Sequence, residues 1–233
     1  MAAARTLTYL LVPLLVVGAT MAATPAHAQR HAPATPVIVD STRDGGRTVS
    51  LTFDDGPDPQ NTPRLLNLLR RTHVRAVFCL WGDHVRENPG LVRRIAAEGH
   101  ILCNHSAHHD DMSTWTPDAI RADLLETNAA IREAVPWARI PYFRAPFGAW
   151  GVSPDVAAEL GMQPLGWRLA IGDWEPPGTD VLVERILTGL TEGAVVLMHD
   201  GGGDRTQTIE AVAAVVPRLR ADGWRFSVPA RRG

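Results

Sequence analysis

From residue 47 to residue 228, short β-branched or apolar runs alternate with stretches of helical periodicity, and no other feature constrains the fold as tightly. Strands are expected near 48–53, 74–80, 101–103, 140–143, 164–169, 194–198 and 224–228. Helices are expected between them, opened by Pro63, Pro89, Pro117 and Pro154 and stopped by Gly99, Pro136 and Gly161. Strict strand–helix alternation implies parallel strands joined by right-handed crossovers. The expected fold class is therefore α/β, seven parallel strands in a TIM-barrel-like arrangement within a single domain. In such a barrel the chemistry belongs to the loops at the strand C-terminal ends.

The remaining bulk features narrow the partners. The 233 residues, 45% hydrophobic, suit one globular domain. The formal net charge is −2, all 23 basic residues are Arg, and neither sign forms a block, which argues against a nucleic-acid partner. Residues 1–28 read as a signal peptide. Arg5 precedes an apolar run through Leu10, Leu11, Leu14 and Leu15, and Ala26-His27-Ala28 is a small-x-small cleavage signal. An uncleaved membrane anchor is the alternative, and Pro13 and Gly18 argue against it. The expectation is a secreted or cell-wall-associated protein with no stable membrane anchor, taken as a monomer. Residues 29–46, rich in Pro, Ala, Thr, Asp and Gly, read as a linker or loose arm, leaving 47–229 as the catalytic domain. Cys79 and Cys103 fall in strands expected to be neighbours, so a disulfide and two buried thiols both remain open.

Polar groups do gather where a barrel would place its chemistry. Asp54 and Asp55 follow the first strand; His105, His108 and His109 follow the third; Arg144 follows the fourth. Asp173-Trp174 follows the run beginning at Pro164, and His199-Asp200 follows residues 194–198. One carboxylate and two imidazoles with open positions make a catalytic site for zinc or a similar divalent ion. His105 and His109, at i and i+4, would share that ion if they lay on one helical turn. A second carboxylate can then act as base and another His as acid. Each group alone has an ordinary reading: a turn for Asp-Asp-Gly-Pro, a surface ion pair for Arg144, a loop cap for Asp173. Compatible roles at five strand ends outweigh those readings.

With these residues in view, the sequence resembles the polysaccharide deacetylase family, carbohydrate esterase family four, over about residues 47–228. Five motifs occur in order: Thr52-Phe53-Asp54-Asp55-Gly56-Pro57, His105-Ser106-Ala107-His108-His109, Arg144-Ala145-Pro146-Phe147-Gly148, Asp173-Trp174 and Leu197-Met198-His199. Glu98-Gly99-His100 and Asn104 are typical as well. The resemblance implies a distorted (β/α)7 barrel, with Asp54 as general base, and Asp55, His105 and His109 as metal ligands. It implies His199 as general acid oriented by Asp173, and Arg144 as the partner of Asp54. The Phe147 N–H would serve the oxyanion, and Leu197 and Trp174 would line the acetyl pocket. Ala170 stands where many members carry a second Asp, and His108 is an extra imidazole beside the ligands.

The expected activity is metal-dependent hydrolysis of N-acetyl groups from N-acetylglucosamine-containing glycans such as peptidoglycan or chitin oligomers. O-acetyl esterase action on xylan and an inactive glycan-binding module are the alternatives. An iron oxygenase would need an antiparallel scaffold, and an aspartate phosphatase leaves the His pair unexplained. Among the seven Trp residues, Trp150 and Trp174 are assigned to the substrate groove and Trp137 and Trp224 to core filling.

Overall fold

The structure is a computed structural model that describes residues 1–4 and 36–231. The expected signal peptide lies outside the described residues from Arg5 on. Among the described residues no helix is long and apolar enough to cross a membrane.

Strand β1 (Thr48–Asp54) is buried along its whole length, as suits a β-branched and apolar run that is covered on both faces. Helix α1 (Asn61–Arg71) follows and seals Leu65, Leu66 and Leu69 against the sheet. Next come β2 (Val77–Leu80), α2 (Gly82–Glu87), α3 (Pro89–Ala97) and β3 (Ile101–Asn104). The longest helix, α4 (Pro117–Ala134), starts where the Thr116 hydroxyl accepts a hydrogen bond from the Ala119 N–H at 3.3 Å, and Pro117 occupies its first turn. Then follow β4 (Tyr142–Phe143), α5 (Ser153–Glu159), β5 (Gln163–Pro164), β6 (Leu169–Ala170), α6 (Thr179–Gly189), β7 (Ala194–His199), α7 (Thr206–Ala221) and β8 (Arg225–Phe226).

All the pairings of these strands are parallel, in the order β5-β4-β3-β2-β1-β7-β6, with β8 beside the start of β1. The register ends level, with Asp54 opposite both Cys79 and His199 and Asn104 opposite Phe143. The strand C-termini therefore open onto one face.

Three expectations are corrected, and one helix is added to them. The strand expected over 164–169 is broken. Its first part pairs with β4 and its last with β7, so one stretch of chain bridges the two edges of the sheet. The sheet accordingly counts eight short strands, and the α/β barrel-like class expected from the alternation stands. Strand β2 begins at Val77 rather than Val74, because His73 turns the chain at φ 50°. Helix α2, six residues long, is too short to show a period in the sequence. The linker reading of 29–46 also fails at its end. Val39 is buried and bridges Leu165, Ser41 bridges Ala194, and Thr42 bridges Pro229, so the packed unit begins well before Arg47.

Cys79 and Cys103 face each other in register and are bonded as a disulfide, which decides the choice the sequence left open.

Candidate active site

Asp54 is the last residue of β1 and is buried with a guanidinium. The Arg144 Nη1 donates to Asp54 Oδ1 at 2.7 Å and to Thr52 Oγ1 at 2.9 Å. Its Nε and Nη2 donate to the carbonyls of Leu165 and Gly166, each at 3.0 Å. The break in the 164–169 strand thus leaves carbonyls that the fully buried Arg144 takes up. A buried charge pair survives when its remaining donors are satisfied in this way.

Asp55 stands in the left-handed region at φ 69°, which a non-glycine residue adopts at a cost of about 1–3 kcal/mol. That turn separates the two neighbouring carboxylates. Asp54 faces Arg144, while Asp55 Oδ1 lies 3.3 Å from His105 Nε2 and 3.1 Å from His109 Nε2. Burial pushes the Asp55 carboxyl up, but the two imidazoles outweigh it and hold the group well below the usual carboxylate range. Burial likewise lowers His105, and the carboxylates of Asp54 and Asp55 more than offset it.

Residues 105–109 form a loop rather than the helical turn expected from their i, i+4 spacing, with Ser106 at φ 67° and His109 at φ 57°. The loop is tied down from behind. Asn104 Oδ1 accepts from the Ser106 N–H at 2.9 Å, and the Asp123 carboxylate accepts from the Ala107 N–H at 3.0 Å. The Ser106 hydroxyl accepts from the His109 N–H at 2.9 Å. Asp123, which sequence reasoning missed, is pushed up to about 6 by burial. His105 Nδ1 donates to the Arg144 carbonyl at 2.8 Å, which leaves Nε2 free to bind a metal.

The residues fit a divalent ion. Ligand atoms of Asp55, His105 and His109 lie within 4.8 Å of one another, and the buried Asp55 Oδ1 has no hydrogen-bond partner of proper geometry. His108 points elsewhere, half-exposed and paired with Asp83 at 3.0 Å.

Opposite stands His199. Its Nδ1 donates to Asp173 Oδ1 at 2.8 Å, while Asp173 Oδ2 accepts from the His199 N–H at 2.9 Å and the Thr208 hydroxyl at 2.8 Å. Burial lowers His199, but the Asp173 carboxylate raises it further, so the net shift is upward. Buried Arg205 holds the backbone by donating to the carbonyls of Asp173 at 2.9 Å and Gly201 at 2.8 Å. Beneath lies Asp200, accepting from Thr62 Oγ1 at 2.5 Å and pushed up to about 7 by burial and by its carboxylate neighbours.

One cavity of about 360 Å³ joins these groups. Asp54, Asp55, His105, His109 and His199 line it, together with Phe147, Leu197 and Trp174. Phe147 takes φ 58°, and its N–H donates to no described residue, as an oxyanion donor requires. Trp174 stands edge-on to His199 at 5.6 Å. Trp150 does not line the cavity, contrary to its sequence assignment, and packs edge-on to Phe143 at 6.0 Å. Trp167 takes a place in the wall, 5.7 Å from the Arg144 guanidinium. Gly166 inside an apolar run was the available signal, since glycine there marks a break or a close approach.

Comparison with known proteins agrees with this geometry. The family described as polysaccharide deacetylase matches residues 41–165. A chitooligosaccharide deacetylase of Rhizobium leguminosarum bv. trifolii is 37% identical over 210 residues, which cover 84% of this chain and 96% of that protein. A crystal structure of a peptidoglycan N-acetylglucosamine deacetylase superposes with a TM-score of 0.77 at 28% identity, covering 83% of this chain and 91% of the other. A family-four pseudoenzyme from Bacillus anthracis superposes at 0.75 with 28% identity, covering 83% and 67%. A shared fold therefore does not guarantee activity, and the weight rests on the side chains.

Proposed function

The chain belongs to the polysaccharide deacetylase family, carbohydrate esterase family four, and from that premise we propose that it is a secreted hydrolase that removes N-acetyl groups from N-acetylglucosamine-containing glycans. The observation that carries the proposal is the convergence of Asp54, Asp55, His105, His109 and His199 on one cavity. A pseudoenzyme needs no intact acid, base and ligand set.

Asp55, His105 and His109 would hold a divalent ion, with zinc preferred by two imidazoles and one carboxylate. When bound, such an ion supplies Lewis-acid polarisation and lowers the pKa of water. The protein side of the reaction follows from its own groups. Asp54, held by Arg144 at 2.7 Å, takes the proton from the attacking water. The free Phe147 N–H faces the negative charge that develops on the acetyl oxygen. His199, with Nδ1 committed to Asp173, presents Nε2 to the departing sugar nitrogen and delivers the proton an amine leaving group needs. Leu197 and Trp174 bound a small apolar space suited to a methyl group.

The test is acetate release from chitin oligomers, peptidoglycan fragments and acetylated xylan, with chelator and zinc add-back. Release from the first two that a chelator abolishes and zinc restores is the expected result. Release from xylan alone would overturn the N-acetyl assignment.

A further inference from the structure

A second cavity, of about 880 Å³, lies at the other end of the barrel. His100 and Ile101 at the entry to β3 and Tyr142 at the start of β4 form part of its wall. It therefore opens at the strand N-termini, away from Asp54 and His199 at the C-termini.

Five arginines line it, Arg43, Arg75, Arg132, Arg139 and Arg231, and no Asp or Glu does, although acids outnumber bases in the chain as a whole. Two of the five are engaged: Arg43 pairs with Asp44 at 3.0 Å, and Arg231 donates to the Gly161 carbonyl at 3.3 Å. The guanidinium groups of Arg75, Arg132 and Arg139 make no hydrogen bond or ion pair with any described residue. Glu98 is bound to Arg94 at 2.7 Å and Glu159 to Arg121, and Glu133, next to Arg132 in the chain, does not line the cavity. Unpaired guanidinium groups around one concavity attract anions and offer planar forks to carboxylate or phosphate. Trp137 completes the rim at 82% exposure, and an indole that bare loses apolar contact it would regain against a flat partner.

We propose that this groove binds an anionic polysaccharide, its acidic groups on Arg75, Arg132 and Arg139 and a sugar face on Trp137. Charge alone would suit any polyanion; the exposed ring beside the arginines is what favours an acidic sugar chain. Such a site would tether the enzyme to an acidic glycan while the opposite face works on the acetylated one.

Affinity electrophoresis and calorimetry with polygalacturonate, which carries carboxylates and no acetamide, test the proposal. The wild type should bind it, more weakly as salt rises, and should ignore neutral dextran. The R75E/R132E/R139E variant should lose about tenfold or more in affinity, a change of roughly 1.4 kcal/mol or more, while releasing acetate from a chitin oligomer within about twofold of wild type. If charge reversal prevents folding, R75Q/R132Q/R139Q serves with the same expectation. W137A should weaken polygalacturonate but leave inorganic polyphosphate unchanged. No binding by the wild type, unchanged binding by the arginine variants, equal loss of both ligands in W137A, or tighter binding of single-stranded DNA than of polygalacturonate would each overturn the assignment.

Discussion

Arginine does opposite jobs at the two ends of this barrel. Beyond β4, Arg144 is wholly buried, and Nε, Nη1 and Nη2 all find acceptors on Asp54, Thr52, Leu165 and Gly166. Before β2 and β4, Arg75 and Arg139 stand in solvent with no acceptor among the described residues. The difference follows from solvation. A guanidinium moved into the interior loses water that only a carboxylate and several carbonyls can replace, so its geometry is fixed and its removal is costly. A guanidinium left in water loses nothing, and stays available to a ligand. Charge at the catalytic end is therefore structural and chemical at once, whereas the charges of Arg75 and Arg139 at the other end are tied up in neither fold nor reaction.

The harshest way to break that comparison is to neutralise the buried carboxylate. Asp54→Asn should lower kcat by about 10³-fold or more, in line with loss of a general base, while the Asp55, His105 and His109 set still retains stoichiometric zinc by elemental analysis. A fully active variant would show that Asp54 is not the base. The next strongest is Arg144→Met, which strips the buried Asp54 carboxylate of its guanidinium and leaves only the His105 imidazole at 3.7 Å. Denaturant unfolding should show a loss of about 3–5 kcal/mol. A loss under 1 kcal/mol would mean that the pair is solvated in a way its burial does not suggest.

A smaller effect is expected at Asp173, which acts through His199 rather than on substrate. Asp173→Asn should reduce kcat by about 10²-fold and move the alkaline limb of the pH–rate profile to lower pH. The sign follows from the upward shift of His199, to which the Asp173 carboxylate contributes most and those of Asp54 and Asp55 add. The acid must be protonated, so activity falls as pH rises through its pKa, and removing the carboxylate brings that pKa down. The same pair contributes stability that is present below the unfolded His pKa of about 6.5 and lost as pH rises through the higher folded value. An unmoved alkaline limb would mean that another group sets it.

Much of the catalytic end was legible in the sequence, and the reason is local. Each reacting side chain directly follows an apolar run, so strand recognition alone puts Asp54, Asp55, His105, Arg144 and His199 on one face. What the sequence hid depends on contacts between distant segments. The left-handed backbone of Ser106 and His109 is held by Asn104 and by Asp123, and nothing in five residues of sequence announces it. The break at 165–168 exists because β4 and β7 compete for one stretch of chain and Arg144 rewards the gap. Val39 and Thr42 look like linker because their partners, Leu165 and Pro229, are far away in the chain.

Trp137 offers the mildest perturbation and the cleanest separation of the two ends. The sequence assigns it to the core together with Trp224, on the reasonable ground that large rings are usually buried. Trp224 does pack against the core, whereas Trp137 stands on the rim at 82% exposure. Exposed substitutions seldom move stability by more than about 0.5 kcal/mol, and 1 kcal/mol corresponds to roughly 2–4 °C in a chain of this size. Trp137→Ala should therefore shift Tm by no more than about 2 °C and leave acetate release unchanged, whereas Leu66→Ala, in the sealed face of α1, should cost about 2–5 kcal/mol. A Tm fall for Trp137→Ala comparable with that for Leu66→Ala would make the ring a packing element after all. The free guanidinium groups beside it would then be left without the apolar companion that points to a sugar chain.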